Sequence, residues 1–202
     1  MQRIEVIRAI APLVTPEDLL TTSLGATMDD WWNHQPADNA LFVGTLGSVT
    51  TTALGMAVSM PHRRVIAIES DGGVLFNLGV LCTLGAERPA NLTVLVMDNG
   101  IYESIGGPAT HTGRNSDIAA MAEAAGCINC RTLTAADEVG PAFAAMLDDG
   151  EFGYMVAKIE PGAHPWPADK KKPTDGVEDK YRFIRYVERL ENKTIHGGAQ
   201  HY

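Results

Sequence analysis

Apolar and polar positions along the chain change period several times, and each change marks an element. Over residues 3–14 the apolar side chains Ile4, Ile7, Ile10 and Ala11 fall at helical spacing, the stripe of an amphipathic helix. Pro16, following Thr15, predicts a second helix start with proline in its first turn. Residues 19–25 and 41–43 read as two short strands separated by a polar, Trp-containing segment. The run of small residues over 48–60 reads as a closely packed helix stopped by Pro61. A strand at 65–70 is followed by a helix at 74–87 that is apolar on nearly every side, a pattern that predicts burial all round. Then come a strand at 92–98, a Gly-rich loop at 100–114, a helix near 116–125, a short strand at 128–133, a helix at 135–147 and a last strand at 154–159.

Strand and helix alternate throughout. The expected fold class is therefore α/β, a mostly parallel sheet with helices on both faces. Beyond Pro161 the composition shifts to Pro, Lys and Asp. Lys170, Lys171 and Lys172 read as a solvated loop, residues 175–191 as a terminal helix, and residues 192–202 as a tail without periodicity. No internal repeat interrupts this plan, and residues 1–202 are expected to form one domain with its core at about 41–162.

Composition narrows the function classes. The 202 residues are 45% hydrophobic and 20% charged, ordinary for a soluble protein. A formal charge of −9 argues against non-specific nucleic-acid binding, which needs a cationic surface. No apolar stretch approaches membrane-spanning length, and the first residues lack a secretory hydrophobic region, so a cytoplasmic location is the expectation. Cys82, Cys127 and Cys130 are too few for a four-thiolate cluster or a Cys-only zinc site. The Cys127 to Cys130 pair reads as semi-buried thiols on a short strand.

Two strand ends carry the candidate chemistry. Ser70-Asp71-Gly72-Gly73 closes the run at 65–68, and Asp98-Asn99-Gly100 closes the run at 92–97. Adjacent parallel strands bring such ends into one crevice. A carboxylate and an amide oxygen converging there suit Mg²⁺, which prefers one or two side chains plus phosphate oxygens and water. Asp-Gly and Asn-Gly are also the commonest turn dipeptides, so either alone reads as a turn rather than a site; their joint occurrence after two apolar strands is what points to a metal-bound diphosphate. Gly72 and Gly73 open a helix whose unpaired N–H groups and positive end can face that diphosphate.

This pair resembles the signature of thiamine-diphosphate-dependent enzymes, Gly-Asp-Gly followed after about one βα unit by Asn-Asn. Ser70 and Asp98 depart from the pattern, while the two metal-ligating positions, Asp71 and Asn99, are kept. The resemblance implies a third ligand in the backbone carbonyl of Ile101. It also implies that Gly44-Thr45-Leu46-Gly47 lies beneath a bent cofactor, with Leu46 as the wedge and the Gly44 carbonyl accepting from the pyrimidine amino group. The loop beginning Gly100-Ile101-Tyr102-Glu103 is then expected to be a mobile lid over metal and thiazolium. From Ser70 to Thr112 the likeness narrows to the branch holding the β-type subunits of sulfopyruvate decarboxylase and the matching part of phosphonopyruvate decarboxylase.

What the resemblance implies is a lyase subunit that binds thiamine diphosphate and Mg²⁺ and decarboxylates a small 2-oxo acid. Such enzymes also need a pyrimidine-binding domain whose glutamate activates the cofactor, and residues 1–40 are too few to make one. A separate partner chain, forming a hetero-oligomer with the active site at the interface, is therefore expected. No catalytic residue is assigned on this chain. His111 reads either as a group that orients substrate or shuttles a proton, or as a surface histidine; Glu103 reads either as a general acid or as a solvated carboxylate. Trp31, Trp32 and His34 form an aromatic cluster that reads mainly as packing or an interface anchor. Two alternatives stand beside this reading: the β subunit of a 2-oxo acid:acceptor oxidoreductase, and a non-catalytic regulatory subunit that keeps the fold.

Overall fold

In a computed structural model the described residues are 1–35 and 38–195. Six strands form one sheet: β1 (Leu19–Ser23), β2 (Ala40–Val43), β3 (Val65–Ser70), β4 (Leu92–Asp98), β5 (Cys130–Leu133) and β6 (Gly153–Lys158). Their spatial order is β2-β1-β3-β4-β6-β5, and every pairing is parallel. Among the described residues eight α-helices precede, connect and follow them: α1 (Arg3–Ile10), α2 (Ala26–His34), α3 (Val49–Ser59), α4 (Asp71–Phe76), α5 (Gly79–Glu87), α6 (Ile118–Ala124), α7 (Ala136–Asp148) and α8 (Gly176–Glu191).

Alternation along each strand feeds two cores. Val65 and Ala67 of β3 point to one face, where they meet Ala53 of α3, Leu84 of α5 and Phe183 of α8. Ile66 and Ile68 point to the other, against Ile7 of α1, Trp31 of α2 and Phe143 of α7. This two-period geometry is why β3 and β4 read as continuous apolar runs. Trp31 is fully buried and Trp32 meets Phe42 edge to face, so both tryptophans are packing residues.

Several elements differ from the sequence pattern. The polar segment after β1 is the helix α2, which hides Met28 and Trp31 behind a charged face. Pro16 starts no helix: Asp18 accepts from the backbone N–H of Thr15 at 2.6 Å, folding a turn that leads directly into β1. The single helix expected at 74–87 begins earlier, at Asp71, and breaks at Asn77 and Leu78 into α4 and α5. Nor is it buried all round, since Phe76 is 70% exposed. Of the three lysines, Lys172 is buried against Phe42 and pairs with Asp179 of α8 at 2.6 Å. Breaking such a buried pair costs about 3–5 kcal/mol. The expected tail is described only to residue 195; residues 196–202 lie outside the described residues.

Helix α8 closes one edge of the sheet. It packs on β2, and the Arg182 guanidinium donates to the Ala40 carbonyl at 2.6 Å. The strand order reverses between β1 and β3, the kind of switch point outside which a crevice opens at the carboxyl ends.

Candidate active site

That crevice is a cavity of about 630 Å³. Gly44, Leu46, Asp71, Gly72, Asn99, Ile101, Tyr102 and Glu103 line it together. Gly47, Gly73 and His111 do not reach its wall. His111 is exposed, and its carbonyl accepts the N–H groups of Arg114, Asn115 and Ser116, turning the loop toward α6.

Asp71 sits at the end of β3, 1% exposed. Thr110 and Thr112 each donate a hydroxyl to its Oδ2, at 2.6 and 2.9 Å. Burial pushes the Asp71 carboxyl above the ordinary range; the two threonines oppose that shift and neighbouring Asp98 adds to it. Asn99, at the end of β4, accepts the Ile101 N–H on Oδ1 at 3.1 Å, a tight turn that brings the Ile101 backbone to the same wall. Carboxylate, amide oxygen and backbone carbonyl are hard donors, the set that Mg²⁺ takes alongside phosphate and water.

Both departures from the expected motif have local partners. Ser70 Oγ accepts the Gly73 N–H at 3.1 Å, capping α4, a contact of about 1 kcal/mol that glycine would not make. Asp98 lies in register with Lys158 of β6 and forms an ion pair with it, while the Gly100 N–H donates to its other oxygen and the Thr112 hydroxyl, 2.7 Å from that oxygen, shares its single proton between Asp98 and Asp71. An acid in place of an amide at position 98 is thus neutralised from the next strand.

Sequence reasoning missed three contributors. The first turn of α2 has no side-chain cap, and Gly25, Ala26 and Thr27 line the cavity, so its free N–H groups offer a second anion cradle beside α4. Helix α2 went unrecognised because its start lacks a capping side chain. The second is Arg3, on α1 and far away in sequence. It lines the cavity, is buried, and pairs with Glu103 Oε2 at 2.6 Å. Third is Glu69, buried on the same wall and held above the usual carboxylate range by burial.

The Gly-rich loop is anchored at both ends. Thr110 and Thr112 tie its far end to Asp71 and Asp98; Glu103 ties its near end to Arg3 and to the Gly162 N–H at 2.6 Å. Glu103 is therefore engaged by protein groups and is not simply solvated. Between these anchors the Tyr102 ring lies over the turn after β3. A Cβ on Gly72 would stand 2.6 Å from its Cε1, so only glycine fits beneath it.

The thiols sit away from this cavity. Burial raises Cys127 to about 12 and Cys130 to about 11. At pH 8 the reactive thiolate of either is about one part in a thousand or less. Alkylation of the native chain at pH 8, read by mass spectrometry, is expected to label exposed Cys82 alone, with all three labelled after unfolding.

Comparison with known proteins adds the lineage. The family model of the C-terminal TPP binding domain of thiamine pyrophosphate enzymes matches residues 25–157. Sulfopyruvate decarboxylase subunit beta of Methanocaldococcus jannaschii is 28% identical over 189 residues, covering 93% of this chain and 98% of that one. Phosphonopyruvate decarboxylase of Streptomyces viridochromogenes is 38% identical over 138 residues, 68% of this chain but only 33% of that protein. Among solved structures, benzoylformate decarboxylase from Polynucleobacter necessarius superposes with a TM-score of 0.69 at 18% identity, over 82% of this chain and 34% of that one, a likeness of fold.

Proposed function

The chain belongs to the thiamine pyrophosphate enzymes, in their C-terminal TPP binding domain, and from that premise we propose that it is the diphosphate- and Mg²⁺-binding subunit of a two-chain 2-oxo acid decarboxylase. The observation that carries this reading is the convergence of Asp71, Asn99 and the Ile101 backbone on one cavity whose other walls are the uncapped start of α2 and the Gly44 to Leu46 loop. Thiamine diphosphate, when bound, supplies the electron sink that lets a 2-oxo acid lose CO₂.

Each residue then has a task. Asp71 holds the metal through the carboxylate oxygen that Thr110 and Thr112 leave, joined by Asn99 and the Ile101 carbonyl. The first turns of α2 and α4 receive the diphosphate, and Tyr102 covers it from the loop. Leu46, 46% exposed at the cavity wall, supports the bend of the cofactor, and the Gly44 carbonyl accepts from its amino group. Arg3, paired with Glu103, and Lys171 also line the cavity and give its wall two cationic groups. They suit a 2-oxo acid with a second anionic group, as the names of the sulfopyruvate and phosphonopyruvate relatives suggest.

A partner chain carrying the pyrimidine-binding domain completes the site. Its seat on this chain is the apolar rim of Leu46, Phe76 and Leu78, with Ile105, 72% exposed, on the covering loop. Calorimetric titration of the chain with thiamine diphosphate, partner present, tests the reading. Binding is expected with Mg²⁺ and its loss on chelation; no binding under either condition would favour a non-catalytic subunit.

Within that site Leu46→Ala is expected to lower turnover about tenfold at saturating cofactor while cofactor affinity changes little, because misplacing a reacting group costs rate before it costs binding. Steady-state rates set beside calorimetric affinities check this. Equal rates for wild type and variant would remove Leu46 from the mechanism.

A further inference from the structure

Leu46 projects from the short loop between β2 and α3 and is half exposed, so its own packing does not fix its position. The loop is held instead by two side chains from the segment that carries Asp71. On one side is Glu69, the penultimate residue of β3. Its Oε2 accepts the Thr50 N–H at 3.2 Å and the Thr50 hydroxyl at 3.3 Å, and its Oε1 accepts the Ser70 N–H at 3.0 Å. The start of α3 has no side-chain cap of its own, so a carboxylate from another strand takes that place.

On the other side is Asn77, at the break between α4 and α5. Its Nδ2 donates to the Gly47 carbonyl at 2.9 Å and to Thr51 Oγ1 at 3.2 Å. Gly47 has φ +80°, and a Cβ there would stand 3.0 Å from Asn77 Cβ. The same segment is closed on Glu69 from within: a Cβ on Gly73 would stand 2.2 Å from Glu69 Oε1. Two independent polar contacts, one buried and one at the surface, thus staple residues 47–51 to residues 69–77.

We propose that Glu69 and Asn77 are positioning residues that make the Leu46 loop and the Asp71 turn one rigid unit, so that the wedge is set at a fixed height relative to the metal and diphosphate site. Neither side chain need touch a reacting atom. The proposal rests on the functional reading of Leu46 and Asp71 given above, and it adds how the two are coupled.

The test uses the full chain and its complex with the pyrimidine-domain partner. Asn77→Asp is isosteric, removes the donor and lies at the surface, where it does not threaten folding; because it stands between Phe76 and Leu78 of the proposed partner seat, all rates in the complex are read at saturating partner. Glu69→Gln is the buried counterpart. In the chain without cofactor, hydrogen exchange read by mass spectrometry is expected to quicken in the peptide spanning 44–52 of Asn77→Asp, while β4 keeps its protection. In the complex, exchange of the cofactor's C2 hydrogen for deuterium and kcat are both expected to fall about tenfold or more, with cofactor affinity within about threefold and KM little changed.

Wild-type rates of C2 exchange and turnover in Asn77→Asp would overturn the proposal. So would parallel losses of cofactor affinity and kcat, the mark of a merely structural residue. Should Glu69→Gln fail to fold, Asn77→Asp decides alone. Failure of the wild-type complex to bind thiamine diphosphate would sink the functional reading itself, and this coupling with it; that outcome is visible before any variant is made.

Discussion

Purified alone and given thiamine diphosphate, Mg²⁺ and a 2-oxo acid with an anionic second group, the chain is expected to release no CO₂ above the buffer rate. Addition of a chain bearing the pyrimidine-binding domain should raise that rate by several orders of magnitude, with activity saturating in either partner. The reason lies in what the cavity offers. Its walls supply oxygen donors, helix starts and a wedge, but the two carboxylates with raised proton affinity on those walls, Asp71 and Glu69, are already engaged by Thr110, Thr112 and Thr50. On the two-chain reading proposed above, the carboxyl that protonates the cofactor ring enters with the partner. Steady CO₂ release by the rigorously purified single chain, measured in a coupled assay, would overturn the two-chain reading.

The second large effect is expected from Asp71→Ala. Cofactor affinity in the presence of Mg²⁺ should fall by at least about a hundredfold, since the substitution removes the one charged ligand from a hard-donor set of three. Stability should change little, because the buried Thr110 hydroxyl loses an acceptor and this offsets the gain from removing a buried carboxyl. Burial holds the Asp71 carboxyl above its ordinary range, so ionising it in the folded chain is unfavourable, and the alanine variant no longer carries that cost. Calorimetry for affinity and thermal unfolding for stability separate the two outcomes. Unchanged cofactor affinity would remove Asp71 from the site. Asn99→Ala should follow in the same direction with a smaller loss.

Much of the scaffold was legible because β3 and β4 are buried on both faces and carry uninterrupted apolar runs, while α3, α7 and α8 keep a helical stripe. The turns after β3 and β4 were legible for a related reason: a strand-end carboxylate followed by two glycines is a local feature, needing no knowledge of distant residues. Helix α2 was not. Its sequence, with Asp29 and Asp30 between buried Met28 and Trp31 and Asn33 and His34 after them, is polar on average, and Gly25 at φ +77° replaces the capping side chain that would have announced it. The break at Asn77 was hidden because α4 and α5 are both apolar, and only the contact with Gly47 shows why the chain turns there.

Within the site, what could not be read was whatever depends on neighbours in space. Asp98 looked like a defect in the motif until Lys158, two strands later in sequence but adjacent in the sheet, supplied its counter-charge. Glu103 looked solvated because nothing near it in sequence is basic; its partner, Arg3, comes from the first helix. Glu69 was passed over as part of an apolar strand. The glycine at position 73, where a Cβ would meet its carboxylate at 2.2 Å, was the available signal and was credited to the diphosphate instead.

The seal that α8 places on β2 bears on how the chain survives its own synthesis. Parallel edges with open backbone groups invite strand addition from other chains. Here the guanidinium that occupies the Ala40 carbonyl belongs to residue 182, and the buried lysine and aspartate that anchor the helix are residues 172 and 179. Six strands are therefore translated, and can pair, before the segment that blocks their outer border leaves the ribosome. During that interval the nascent sheet is open to mispairing, and slowing translation after Lys158 should raise the aggregated fraction of newly made chains, an effect that a helper protein covering β2 would suppress.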